Sequence, residues 1–399
     1  MTTASPAGTT IGVLGHTWRA SVTPWGDVVP WDGGEPLRWF VAAEDRWHQP
    51  QEEANVRQIL VEGTPVVETR VRVPGGDVVQ RVWCVADHAG LTVVEIQNDS
   101  PRAVAVALTR PDLLTTRPPA DVPIEGIDLP AGSIVLPVGH RASVRAALAH
   151  SGGGPRLLPA DLPGHLVVVR GWQAIVERAA RIVSPDEAAV AAAVAQRCEV
   201  LLCGPPEQAD AAGFLLGVHE LVRAGERAEP WLPDVVAAGE SLLRSARRQP
   251  DLAWDVDRAL LAAAAVCQSA GEQRAVEDVV AARGRLGERT PAVEAPPAGI
   301  RRVAWLEDGL VRPGSAGACS LLPGGIPPHW WGANFEAYHL PAGPGHDVSF
   351  AVRWHGARPA VLWEVRGGPG LVLRSGADSS WHSGDARGEA LWAPPAGAA

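Results

Sequence analysis

Val66-Val67-Glu68-Thr69-Arg70-Val71-Arg72-Val73-Pro74-Gly75-Gly76-Asp77-Val78-Val79-Gln80-Arg81-Val82-Trp83-Cys84-Val85 reads as two strands meeting at a turn, and the rest of the N-terminal half can be organised around it. Apolar and polar residues alternate on both sides of Pro74-Gly75-Gly76-Asp77, the period-two pattern of a hairpin with one buried face. Letting Val73 face Val78 aligns Val71 with Gln80, Thr69 with Val82 and Val67 with Cys84 on that face. The opposite face then carries Glu68, Arg70, Arg72, Arg81 and Trp83. If Leu91 to Asn98 pairs next, Glu95 falls beside Arg81 and offsets the charges of Arg70 and Arg81. From Val56 to Arg110 β-type runs keep alternating with turn clusters. Further strand-like runs follow at Ala103 to Thr109, Ser133 to Leu136, Ala142 to Ala149 and Leu166 to Val169. The pattern predicts an N-terminal antiparallel β-sandwich over residues 1–183.

At Ser184-Pro185-Asp186-Glu187 the pattern changes to a helical one, with Ser184 as N-cap, Pro185 at the first helical position and Glu187 completing a capping box. Helices are predicted near 186–203, 207–224, 232–248, 252–270 and 272–286, separated by Gly204-Pro205-Pro206, Glu229-Pro230, Gln249-Pro250 and Gly271. Residues 287–300 lack hydrophobic periodicity and read as a Pro-rich linker. A C-terminal β domain, 301–399, follows. Its best hairpin spans Val348 to Val365, where a loop of Gly356-Ala357-Arg358-Pro359 pairs Trp354 with Val361, Val352 with Trp363 and Phe350 with Val365 and turns Glu364 outward near Arg353. The expected fold class is α+β, mostly β, with a short five-helix region between two β parts.

Composition excludes several chemistries. All 35 basic residues are arginine, so neither a P-loop lysine nor a Schiff-base lysine exists in this chain. A net charge of −10 argues against nucleic-acid partners and against anionic membrane surfaces. The first residues lack the basic start and apolar run of a signal peptide, and no later stretch is apolar enough to span a membrane, so the expected location is cytoplasmic. Cys84, Cys198, Cys203, Cys267 and Cys319 show no C-x-x-C spacing. His219-Glu220-Leu221-Val222-Arg223 comes closest to a zinc-protease motif but has arginine where the second ligand belongs. No metal and no cofactor are implied.

The stretch Glu62-Gly63-Thr64-Pro65 continuing through the quoted hairpin to Arg81, with the entry from Arg170-Gly171-Trp172 to Ser184-Pro185-Asp186, resembles the β-super-sandwich and exit strand of the six-hairpin glycosidases, the glucoamylase, phosphorylase and debranching relatives. The resemblance implies a sandwich leading into a helical toroid, with a catalytic acid and base on the toroid's loops. Such a toroid is built of six helical hairpins, more than this segment supplies. The chain therefore reads as a shortened, sugar-binding or non-catalytic relative. An active glycoside hydrolase and a protein-interaction scaffold are the alternatives.

Inverting glycoside hydrolysis needs two carboxyl groups roughly 6.5–9.5 Å apart. Asp255 and Asp257 are two residues apart on one predicted helix and point away from each other, so they cannot flank one bond. Asp255, beside Trp254, is the best acid candidate, and Glu240 on the preceding helix is a partner only if packing brings them together. Asp255 also reads as complementing its helix dipole. Sixteen Trp against four Phe and one Tyr make tryptophan the main aromatic surface. In Pro327-Pro328-His329-Trp330-Trp331-Gly332-Ala333-Asn334-Phe335-Glu336, adjacent tryptophans cannot both point inward if extended, so one is expected to be exposed. Trp330, Trp331, Asn334 and Glu336, with Trp254, are the candidate binders of an oligosaccharide partner; packing against the helices explains them as well. The face bearing Arg70, Arg81, Glu95, Glu68 and Trp83 is a second candidate groove, or a solvated or domain-facing sheet face.

Overall fold

The computed structural model describes residues 8–116, 124–151, 157–286, 289–314 and 317–395. The chain divides into two compact units, Met1–Gln173 and Ala174–Ala399. Among the described residues no helix is long and apolar enough to cross a membrane.

Unit 1 contains β1 (Thr9–Gly12), β2 (Arg19–Val22), β3 (Val28–Pro30), β4 (Trp39–Ala42), β5 (Trp47–His48), β6 (Arg57–Leu60), β7 (Val67–Val73), β8 (Gly76–Val85), β9 (Leu91–Asn98), β10 (Val104–Leu108), β11 (Leu114–Thr115), β12 (Ile134–Val138) and β13 (Ser143–Ala149). They form sheets ordered β1-β2-β3, β12-β10-β4-β5 and β11-β13-β9-β8-β7-β6. One apolar core joins Ile11 and Val22, Trp39 and Val106, and Val71, Val78 and Ile96, one group from each sheet. This is the expected sandwich, held by the burial of alternate residues along each strand.

The hairpin register differs from expectation by two residues. Val73 pairs with Gly76, Val71 with Val78, Thr69 with Gln80 and Val67 with Val82. The turn contracts to Pro74-Gly75, with proline's fixed φ first and Gly75 at φ 81° second, the requirement of a tight type II turn. A two-residue shift leaves every side chain on its expected face. Arg81 faces Glu95 as anticipated.

The second face of this sheet is open to solvent at Arg72 and covered at Trp83. Leu158, Leu162 and Val169 cover Trp83, which is fully buried. Glu68 accepts from Arg70 Nε (2.8 Å) and Arg81 Nε (2.7 Å), and Glu95 accepts from Arg145 Nε (2.7 Å). Val169 belongs to α1 (His165–Val176), a helix where a strand was expected over Leu166 to Val169. Three consecutive valines favour a strand locally; burial of Val169 and Trp172 on one helical face overrides that preference.

In unit 2, β14 (Arg181–Val183) precedes α2 (Glu187–Cys203), α3 (Ala211–Ala224), α4 (Leu232–Ala246), α5 (Trp254–Ser269) and α6 (Gln273–Arg283), the five helices expected. Then come α7 (Arg301–Leu310), which was not anticipated, β15 (Val311–Pro313), β16 (Ala318–Leu321), β17 (Phe335–Gly343), β18 (His346–His355), β19 (Arg358–Arg366), β20 (Val372–Ser375), β21 (His382–Ser383) and β22 (Arg387–Leu391). With α1 and α7 added, helix reaches about 30% against about 31% strand, so the α+β class holds while the share of helix exceeds a mostly-β chain. The expected capping box is absent: α2 starts after Asp186, and the buried Ser184 hydroxyl lies outside the helix with no partner.

The sheets of unit 2 are ordered β14-β17-β18-β19-β22 and β15-β16-β20-β21. A single core contains Leu215 and Leu260 from the helices, Ile300 and Val303 from 289–314, and Phe350 and Trp363 from the sheet. Helical region, linker end and C-terminal strands thus share one interior. The β18–β19 hairpin also contracts to a two-residue turn, Gly356-Ala357, with Gly356 at φ 60°. Phe350 pairs with Trp363, Val352 with Val361 and Trp354 with Pro359, again two residues from expectation and again on the same face. Glu364 points outward, but its partner is Arg366 at 3.4 Å; Arg353 goes to Glu336.

Candidate functional site

The carboxylates singled out from sequence do not converge on a common cavity. Asp255 Oδ2 accepts from Arg301 Nε (2.8 Å), and the same guanidinium grips Asp210 through both terminal nitrogens at 2.7 Å. Asp255 is therefore one jaw of an arginine clamp. Glu240 is exposed on α4. Trp254, the first residue of α5, is 5% exposed and belongs to the core.

The tryptophan loop is an anchor. Trp330 is 4% exposed and packs edge-on against Phe335 at 4.9 Å. Trp331 is partly buried and donates its indole N–H to the Ile326 carbonyl (3.1 Å). A short 3-10 turn at Pro328–Trp330 bends the chain, so the pair is not extended and the expectation of one outward-facing ring fails. Asn334 is exposed. Glu336 accepts from Arg353 (2.6 Å), which holds its carboxyl below the usual range.

The structure gathers polar groups elsewhere in unit 2, in an open cleft of about 560 Å³ whose wall includes His339, Asp347, Arg366, His346, Arg178 and Gln268. Its geometry begins with a bulge. Between the pairs Ala337–Phe350 and Leu340–Val348, two residues of β17 oppose the single Ser349 of β18. The bulge puts His339 at φ 59°, the left-handed region, where a non-glycine residue is strained by about 1–3 kcal/mol. Its surroundings hold it there. The His339 amide donates to Ser349 Oγ (3.0 Å), and its carbonyl accepts from Arg223 Nη2 (3.1 Å). Its ring Nδ1 lies 3.1 Å from Arg366 Nη1 and 3.6 Å from Asp347 Oδ1. That Asp347 oxygen is buried and has no hydrogen-bond donor within reach. Nearby, His346 is fixed by the carbonyls of Pro344 (3.2 Å) and Gly368 (2.8 Å).

Arg223 connects the cleft to a buried charge network. Its Nη1 donates to Glu220 and Glu307, and its Nη2 to the Ala179 carbonyl (2.7 Å) as well as to His339. Arg197 donates to Glu220 (2.7 Å) and Glu307 (2.6 Å) from behind. Burial opposes ionisation of Glu220, but Arg223 and Arg197 outweigh it and hold the carboxyl below its ordinary range. The arginine that breaks the apparent zinc motif is thus the residue that props the strained histidine. Nothing local in the sequence marks this, because the partners come from α2, α3 and α7.

His219, on the shared wall of this cleft and a smaller cavity, is kept neutral: burial, then the nearby Arg223, push its pKa down to about 3 from 6.5. Its folded value lies below its unfolded one, so the unfolded chain takes up the proton first and the His219 contribution to stability is lost as pH falls from 6.5 toward 3. The denaturation midpoint of unit 2 should fall with acidification over that window, and His219→Gln should flatten the slope. Equal slopes for both proteins would remove His219 as the source.

Chemically, the cleft offers guanidinium and imidazole donors beside one carboxylate acceptor. Its other wall carboxylate, Glu177, is exposed and 3.7 Å from Arg181. Arrangements of this kind recognise groups that both donate and accept hydrogen bonds. Comparison with protein families, with curated proteins and with solved structures gives no match.

Proposed function

We propose that the chain is a shortened relative of the six-hairpin glycosidases that binds a carbohydrate in the cleft around His339 without cleaving it. The observation carrying this reading is the strained His339 with Asp347 and Arg366 in the wall of a cleft of about 560 Å³, a volume usual for small-molecule sites. A backbone conformation this costly is kept where the exact position of a side chain matters. Non-cleavage rests on the carboxylates: Asp255 is clamped by Arg301, Glu240 faces outward, and neither lines the cleft. A cytoplasmic location fits the lack of a disulfide among the described residues, with four of the five cysteines buried. The scaffold reading draws on one feature, exposed Leu362 and Leu391 on neighbouring strands β19 and β22.

The test is calorimetry with a panel of α- and β-linked oligosaccharides, paired with a reducing-end assay. Binding should appear for at least one sugar, and Arg366→Ala and Asp347→Asn should each weaken it roughly tenfold, the worth of one charge-assisted hydrogen bond. No reducing ends should be released. Absence of binding across the panel would remove the carbohydrate reading, and steady release of reducing sugar would replace it with hydrolysis.

A further inference from the structure

Arg366 Nη1 lies 3.1 Å from His339 Nδ1. A guanidinium nitrogen can only donate, so Nδ1 is the acceptor and carries no proton. In this arrangement the ring is neutral, with its hydrogen on Nε2. The same Nδ1 lies 3.6 Å from Asp347 Oδ1, a buried oxygen with no hydrogen-bond donor among the described residues. One ring nitrogen therefore faces a donor that requires it bare and an acceptor that requires it protonated. It can serve only one of them at a time.

A single proton exchanges the two arrangements. Adding it at Nδ1 sets two N–H donors against each other, so the Arg366 contact breaks, and the new N–H takes Asp347 Oδ1 as its acceptor once the short gap closes. Arg366 has an alternative partner, since its Nε is 3.4 Å from Glu364 Oε1 at an exposed position. The His339 backbone stays in place, held by Ser349 Oγ and by Arg223. The titratable and charged groups around the ring are Arg223 and His219 from α3, Asp347 and His346 from β18, Arg366 and Glu364 from β19, and Glu177 and Arg178 from the segment after α1. Among the described residues only Asp347 brings a carboxylate within 4.0 Å of a His339 ring nitrogen.

We propose that His339 is a proton-operated latch on the cleft. Neutral, it holds Arg366 in the wall and leaves Asp347 unengaged; protonated, it takes Asp347 and releases Arg366. The latch itself needs no ligand, and its effect on binding rests on the carbohydrate reading, in which Arg366 and Asp347 hold the sugar. Acid withdraws both groups, so proton and sugar compete and the sugar leaves as the pH falls.

With 15N-labelled histidine, His339 should show a bare Nδ1 and a protonated Nε2 at about pH 8 and two protonated nitrogens at about pH 5, the interval over which imidazole ordinarily changes charge. Its signals are assigned by their loss in His339→Asn, which suits a left-handed position and sets an amide oxygen, a permanent acceptor for Arg366, where Nδ1 was. Should that variant not fold, His339→Gly serves for assignment. Calorimetry across the oligosaccharide panel, with maltotriose and cellotriose as its α- and β-linked members, should show affinity falling roughly tenfold from the higher pH to the lower. That ratio should vanish in His339→Asn and persist in His346→Gln. An Nδ1 already protonated at the higher pH, or still bare at the lower, overturns the latch. Equal affinities at both pH values for a sugar that binds, or a pH effect lost in His346→Gln instead, overturn its control of the cleft. A ring that titrates as described while no sugar binds at either pH supports the latch and removes the carbohydrate reading.

Discussion

Glu307→Ala should destabilise unit 2 by about 3–5 kcal/mol, the usual loss when one member of a buried ion network is removed. Glu307 is 2% exposed, accepts from Arg197 at 2.6 Å and from Arg223 at 3.2 Å, and has its other oxygen 2.9 Å from Arg223 as an ion pair. Deleting it leaves the buried Arg197 and Arg223 guanidinium groups to share Glu220. With total stabilities of about 5–15 kcal/mol, such a loss consumes a large fraction of the whole. Urea titration followed by far-UV circular dichroism gives the number. The double variant Arg197→Met with Glu307→Leu should be less damaging than Glu307→Ala alone, because removing both partners leaves less charge stranded. A loss under about 1 kcal/mol for Glu307→Ala would mean that water reaches the network. Because Arg223 also holds the His339 carbonyl, the same variant should weaken ligand binding in the cleft before it unfolds the protein.

Trp330→Ala should cost about 3–5 kcal/mol, as large-to-small changes at buried aromatics do. The indole fills space beside Phe335, which in turn packs edge-on against Phe350 at 6.4 Å, so its removal opens a cavity in the joint core of helices and sheet. Trp331→Ala, at a partly buried position with one backbone hydrogen bond, should cost less than half as much. The pair separates the two readings of the loop. If Trp330→Ala keeps its urea midpoint and instead abolishes sugar binding, the loop is a stacking platform after all.

Local pattern carried the fold a long way because period and face assignments survive errors of register. Both hairpins slid by two residues when their turns contracted to Pro74-Gly75 and Gly356-Ala357, yet Val71, Val78, Phe350 and Trp363 stay buried where alternation placed them. α1 was obscured because Val167-Val168-Val169 imitates a strand, and α7 because it follows a Pro-rich stretch with no helical periodicity. Paired sites were harder to read. Arg197, Glu220, Arg258 and Glu307 lie on four different helices, and no spacing in a single sequence predicts their meeting. His339 and His346 were visible as histidines after the tryptophan run, but the bulge that gives His339 its conformation depends on strand pairing, not on residue type. Asp255 was read as an acid candidate that also complements its helix dipole, and the partner it takes in the structure, Arg301, lies beyond the reach of any helical spacing.

The interior of unit 2 holds Ala180 at one extreme and Trp392 at the other, with Trp381 packed between Trp392 and Trp363. During synthesis, unit 1 has its strands in hand early, whereas unit 2 keeps an incomplete apolar surface until β22 and Trp392 leave the ribosome. Nascent chains stalled before Trp392 should therefore recruit chaperones through their second half, with the first half already resistant to protease.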